Sequence, residues 1–228
     1  MKYIRITVIF LIAALLTISV NAQGVAQENS TLINPPISLW SKNISGSMAG
    51  KHAYFPQILV EGTTIHCTWV TDSAYAQRLI IYNRSIDNGK TWEQPRIVYS
   101  YPSYAGGGHN DGGRNYYKMV VSGTSVHFFV SDYNKRGTWY GRLIHIRSLT
   151  NGQSFETPVS LFEGNDAYHI YNVLPKVQGN TLSVVFLHKC NWTSADTCYY
   201  LSSTNNGTSF SKDTVYTTPS YGGAPEDV

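Results

Sequence analysis

Ser85-Ile86-Asp87-Asn88-Gly89-Lys90-Thr91-Trp92 returns twice in this chain in altered form, as Ser148-Leu149-Thr150-Asn151-Gly152-Gln153-Ser154-Phe155 and Ser203-Thr204-Asn205-Asn206-Gly207-Thr208-Ser209-Phe210. The copies begin 63 and then 55 residues apart, a period in the range of repeat architectures built from one supersecondary unit. Each position has a physical job. Asp87, and Asn205 in the third copy, can turn a side-chain oxygen onto backbone N–H groups two residues on, while the glycine supplies the positive φ of a tight hairpin. Trp92, Phe155 and Phe210 restart the apolar pattern of a following strand. Thr150 stands where the carboxylate should be, so the middle turn is expected to be the loosest.

Aligning the copies on Gly62, Gly123 and Gly179 extends the repeat well beyond the turn. An apolar strand precedes each glycine (55–60, 116–121, 172–177) and a second follows it (63–70, 124–131, 181–188), with apolar side chains at alternate positions. Third strands, 79–85, 140–148 and 198–203, lead into the motif, and fourth strands, 92–99, 155–162 and 210–217, leave it. Four antiparallel strands per repeat make one propeller blade. The expected blades cover roughly 51–100, 112–162 and 168–218. His66 and His127 align with Ser183 in the second strand and read as structural rather than metal-binding, since equivalent positions of separate blades stand far apart. Cys67 aligns with Phe128 and Val184 and reads as a buried, inert thiol.

Lys2 and Arg5 precede an apolar stretch over 6–20 that ends in Val20-Asn21-Ala22, the pattern of a secretory signal peptide over 1–22. The stretch is too short to span a bilayer comfortably, so no membrane span is expected once it is cleaved, and a secreted, periplasmic or cell-surface location is. Without Lys2 and Arg5 the 17 basic side chains fall to 15, against 14 acidic ones. That balance excludes the basic excess of a nucleic-acid-binding protein. No cofactor or metal is expected. In an oxidising compartment Cys190 and Cys198, which flank a short loop between two strands, are expected to close a disulfide. Asn-x-Ser/Thr sequons at Asn29, Asn43, Asn83, Asn191 and Asn206 arise readily by chance in so Ser-, Thr- and Asn-rich a chain.

The turn motif resembles the Asp box, or bacterial neuraminidase repeat, SxDxGxTW, of sialidase-like β-propellers. The resemblance rests on Ser85, Asp87, Gly89 and Trp92, on Ser148, Gly152 and Phe155, and on Ser203, Asn205, Gly207 and Phe210, and it covers nearly all of the mature chain. It implies an all-β, sialidase-type propeller, six-bladed when complete, of which three four-stranded blades lie in this sequence. Residues 33–42 read like a closing fourth strand of the last blade, and 219–228 like the start of a truncated one. The sequence is thus expected to be the N-terminal part of a longer protein over 23–228. In that family the Asp boxes sit on the face opposite the active site.

Candidate site residues therefore fall in the loops at the other end. His109, Asp111 and Arg114 lie in the glycine-rich stretch 100–114 and could form an acid, a base and an anion clamp, arginine presenting a fork of donors suited to a carboxylate. His52, Arg136, Asp166 and His169 occupy comparable loops and could bind sugar hydroxyls; the alternative is that they face water or cap strands. The family holds the carboxylate of sialic acid with three arginines, the first in an Arg-Ile-Pro motif at the start of the first blade. Tyr54-Phe55-Pro56 stands at that place, so the arginine has no counterpart. The family's acid/base aspartate would be Asp72. Two functions follow as expectations: a secreted sialidase-like propeller acting on or binding a glycan or glycoprotein, or a non-catalytic carbohydrate- or protein-binding propeller domain of a larger surface protein.

Overall fold

The computed structural model describes residues 44, 53–72, 78–101, 117–135, 139–164, 169–189 and 196–218. The signal segment, the expected closing strand over 33–42 and the stretch 219–228 lie outside the described residues. Three antiparallel sheets are built in chain order. The first holds β1 (Ala53–Glu61), β2 (Thr64–Asp72), β3 (Arg78–Ser85) and β4 (Arg96–Ser100). The second holds β5 (Tyr117–Ser122), β6 (Ser125–Lys135), β7 (Trp139–Ser148) and β8 (Val159–Glu163). The third holds β9 (His169–Gln178), β10 (Thr181–Lys189), β11 (Thr197–Ser203) and β12 (Ser211–Thr217). Each strand pairs with its sequence neighbour, which is the meander of a propeller blade.

Alternation along each strand sends side chains to both faces, and packing of sheet on sheet buries both. Val70, Ile80 and Tyr82 of the first sheet meet Val126, Phe128, Val130 and Ile146 of the second. Phe129, Leu143 and Phe162 on the opposite face of the second sheet meet Ile170, Leu182, Val184 and Phe186 of the third. Each such side chain contributes about 1.5–3 kcal/mol by leaving water. On the remaining face of the first sheet, Cys67, Trp69, Leu79 and Ile81 pack with Ile44 and Trp92. Burial pushes the Cys67 thiol up to about 12, so it is a packing group.

Two fourth strands begin later than the aromatic residue of the motif. Trp92 and Phe155 are followed by one isolated ladder contact, Glu93 N–H to Arg84 carbonyl and Glu156 N–H to Arg147 carbonyl, and pairing resumes only at Arg96 and Val159. Pro95 and Pro158 explain the gap, because proline has no N–H to donate to a ladder. The third repeat has Asp213 at that position, and β12 runs from Ser211.

The motif turn is also wired differently from the sequence expectation. Asp87 reaches four residues on, where its carboxylate accepts from the Thr91 N–H at 2.8 Å and from the Thr91 hydroxyl at 2.6 Å. Hydrogen bonds from Thr91 and Ser85 hold its carboxyl down at about 2. Ser85 supplies the other clamp, its Oγ accepting from the Gly89 N–H at 2.8 Å, and Ser148 and Ser203 do the same for Gly152 and Gly207. Thr150 keeps the wiring with a hydroxyl, accepting from the Ser154 N–H at 3.1 Å, and Asn205 accepts from Ser209 at 3.0 Å. Two successive residues take positive φ, the asparagine as well as the glycine: Asn88 and Gly89 at 58° and 85°, Asn151 and Gly152 at 55° and 78°, Asn206 and Gly207 at 55° and 75°. Asparagine tolerates that region better than most side chains.

These turns hold the sheets together. Gly152 lies on Tyr82 of the preceding sheet, so closely that a Cβ there would stand 2.5 Å from Tyr82 Cζ and nearer still to its hydroxyl. Gly207 lies on His145 in the same way, where a Cβ would stand 2.6 Å from Cε1. The Asn151 amide donates to Thr64 Oγ1 at 3.2 Å, and that of Asn206 to Ser125 Oγ at 2.7 Å. Arg84 donates to the carbonyls of Thr150 and Asn151, and Arg147 to the Asn206 carbonyl and the Thr208 hydroxyl. Glu93 and Glu156 steady these arginines, each at 2.7 Å.

Candidate functional site

At the end of the sheets opposite the turns the described residues break off at 73–77, 102–116, 136–138, 165–168 and 190–195. His52, His109, Asp111, Arg114, Arg136, Asp166 and Cys190 lie outside the described residues. Asp72 and His169 are placed by backbone alone, as the last residue of β2, paired with Arg78, and the first of β9, paired with Lys189. Cys198 is half-buried in β11, and its expected disulfide partner Cys190 lies outside the described residues. The sequons at Asn83 and Asn206 are occupied by structure, since the Asn83 amide donates to the Ile44 carbonyl at 2.9 Å and that of Asn206 to Ser125. His66 and His127 are buried members of seam contacts, and no group of three His, Cys, Asp or Glu side chains converges as a metal site among the described residues.

At this end the structure assembles a polar group that the sequence did not single out. Asp132, near the end of β6, is fully buried and faces the seam with the first sheet. One carboxylate oxygen, Oδ2, accepts from Arg142 of β7 and from the Tyr99 hydroxyl of β4 at 2.8 Å. Its other oxygen, Oδ1, and the Arg142 Nε are buried without a hydrogen-bond partner among the described residues. Burial works against the Arg142 charge, but the Asp132 carboxylate outweighs it and holds the guanidinium above its ordinary value. Asp132 aligns with Thr71 and His188, each nine residues past the repeat glycine and each buried. A polar residue at that register in all three repeats is the signal that could have found it.

Tyr101 and Tyr117 are the described residues that flank the glycine-rich stretch 102–116, and Tyr101 lies beside this group. Tyr101 is buried, its N–H donates to the Arg78 carbonyl at 2.9 Å, and its ring meets Tyr99 edge-on at 5.2 Å. Tyr117, at the other end, is also buried, and its hydroxyl donates to the Phe55 carbonyl at 2.7 Å. Phe55 has a φ of 51°, uncommon for a bulky residue and more so before proline, and marks a bulge where β1 slips against β2. Asn172 takes the equivalent conformation in β9 at 53°. Bulges of this kind re-aim side chains at sheet rims. Tyr54, where the arginine of the family motif would stand, is exposed directly before the first bulge.

Neither a protein-family model nor a curated protein matches the chain. Among solved structures it is similar to a Trypanosoma rangeli sialidase in complex with 2,3-difluorosialic acid, at 14% identity and a TM-score of 0.47 over 72% of this chain. It is also similar to a Bacteroides ovatus protein described as xyloglucan PUL GH43B, at 11% identity and a TM-score of 0.39 over 72% of this chain. The chain spans less than a third of the length of either, 31% and 29%.

Proposed function

We propose that the chain is an exported, sialidase-like propeller that binds glycans at the loop end of the first seam. The supporting observation is the Asp132–Arg142 pair, where a buried acceptor and a buried donor lack partners among the described residues, and whose partner Tyr99 packs on Tyr101, the last described residue before the stretch with His109, Asp111 and Arg114. A hydroxyl donates and accepts at once, so a polyhydroxylated ligand, or a water it displaces, matches both needs. Leaving them unmet costs about 1–3 kcal/mol each. The Asp-box repeat supports the class, and the absence of arginine at Tyr54-Phe55-Pro56 favours binding over turnover.

A glycan array probed with the folded chain tests this reading. Binding is expected, weakened at least about tenfold by Arg114→Ala or His109→Ala with an unchanged melting temperature, since each removes a hydrogen-bonding group worth about 1.4 kcal/mol or more. Silence across sialylated and plant glycans overturns it. Release of sialic acid from a fluorogenic sialoside, abolished by Asp72→Asn, would replace binding with catalysis.

A further inference from the structure

Asp132, Arg142 and Glu163 stand in one row across three neighbouring strands. Asp132 of β6 is the register partner of Arg142 in β7, and Arg142 is that of Glu163 in β8. Residues directly opposite each other on paired strands project from the same face. For this row it is the face that meets the first sheet, where Tyr99 reaches Asp132. One guanidinium is thereby set between two carboxylates, that of Asp132 fully buried and that of Glu163 exposed. Burial opposes the Arg142 charge, while Asp132 and, more weakly, Glu163 support it.

The buried pair is bonded by one limb only. An arginine fork presents Nε and Nη2 along one edge, and a carboxylate can meet both at once. Here Arg142 Nη2 donates to Asp132 Oδ2, which also accepts from the Tyr99 hydroxyl, while Oδ1 and Nε have no partner among the described residues. A ligand must therefore bring a proton for Oδ1 and a lone pair for Nε. A carboxylate, sulfate or phosphate supplies the lone pair, but it has no proton to give and sets a negative charge against Asp132 and Glu163. An ammonium or a metal cation satisfies Oδ1, but it offers nothing to Nε and faces the guanidinium. An uncharged hydroxyl does both. Nor can Arg142 turn to clamp an anion, because leaving Asp132 would strand a buried carboxylate without its partner.

We propose that this row takes a hydroxyl of a neutral sugar and turns away sialic acid, uronic acids and sulfated sugars. The inference rests on the reading of the seam end as a glycan site and assigns the charge class of that glycan. Discrimination comes from a like charge placed against the wrong ligand as much as from fit to the right one. Asp132 supplies the contact, and Glu163 sets the sign of the charge at its exposed edge.

An array of glycans matched in backbone, each in a neutral form and in a sialylated, uronate or sulfated form, tests this with the full chain as probe. Binding to the neutral members is expected, with the acidic form of the same glycan weaker by at least about tenfold, the loss of one hydrogen bond to a charged group. Raising sodium chloride from about 50 to about 500 mM should leave the neutral affinity unchanged, since no ion pair forms with the ligand. Asp132→Asn frees the guanidinium and should move the preference towards acidic glycans. Glu163→Lys alters an exposed position that the fold does not depend on, and should narrow the neutral-over-acidic ratio about threefold, the reach of a screened surface charge. A preference of the unaltered chain for acidic glycans, or a ratio that Glu163→Lys leaves unmoved, overturns the charge assignment and leaves the glycan site standing. Silence across the whole array overturns the glycan site itself, and the assignment with it.

Discussion

Between the first and second sheets, two arginines reach across to the docked turn: Arg84 to Thr150 and Asn151, and Arg96 to Gly152 at 2.9 Å and to Gln153, with Glu93 bonded to both. Between the second and third sheets, among the described residues, only Arg147 does so, because Val159 stands where Arg96 would. A neutral relay takes up the difference. His145 lies 3.1 Å from His127, and His127 Nε2 lies 3.1 Å from Asn206 Oδ1. His127 can accept from His145 and donate onward to Asn206 only if it is uncharged, with its proton on Nε2 and Nδ1 free to accept. Burial holds His127 at about 4 and His145, with His127 beside it, at about 3. What stays constant between the seams is the backbone, an asparagine and glycine with positive φ pressed onto the preceding sheet. What varies is whether fixed charge or uncharged imidazole secures it.

The largest effect should come from the constant part. Gly152→Ala sets a methyl against the buried Tyr82 ring and forces a positive φ on alanine, and is expected to cost about 3–4 kcal/mol in a urea titration. Gly207→Ala should cost less, since the obstructing atom is the edge of His145. Equal costs would mean that the two seams yield alike and that the filler side chain does not matter.

Acid should separate the seams next. The unfolded chain takes up protons as the pH falls through 6.5, while folded His127 and His145 stay neutral down to about 4 and 3. Stability therefore drops across that window, by about 1.4 kcal/mol per pH unit for each histidine. His66, held at about 4 by burial, adds the only such histidine of the corresponding pair in the first seam, Tyr82 being its partner. His145→Tyr gives the second seam the histidine–tyrosine pair of the first. It should make the slope of stability between pH 6.5 and 4.5 shallower by one proton's worth, and an unchanged slope would remove His145 from the acid response.

The smallest effect concerns the turns themselves. Thr150→Asp supplies the second turn with the carboxylate of the first, and a small rise in melting temperature is expected. The Asp87 carboxyl lies at about 2 against an ordinary 3.8, so the analogous gain should be present above that ordinary value and fade as the pH falls towards 2. No rise at neutral pH would show that the hydroxyl already does the carboxylate's work in this seam.

The strand order was legible because period-two alternation and the repeat glycines are local signals. The prolines that shorten β4 and β8 were visible as well, and their missing N–H groups alone account for the late start of those strands. The wiring of the turn was less legible: residue preference shows that Asp87 and Ser85 bond nearby backbone, but which N–H each reaches depends on the path of the folded turn. Asp132 lay hidden for another reason. A single aspartate at a strand end reads as a solvated charge until Tyr99, 33 residues earlier, is brought against it across a seam.

By itself the sequence determined the repeat, its four strands and the positions of its tight turns, because backbone conformation answers to near neighbours. Only the tertiary structure decided what the turns hold. That Gly152 must be bare for Tyr82, that Asn206 answers His127 and that Asp132 is buried with Arg142 are facts about surfaces brought together from distant parts of the chain, where close packing and the cost of unmet polar groups select the partners.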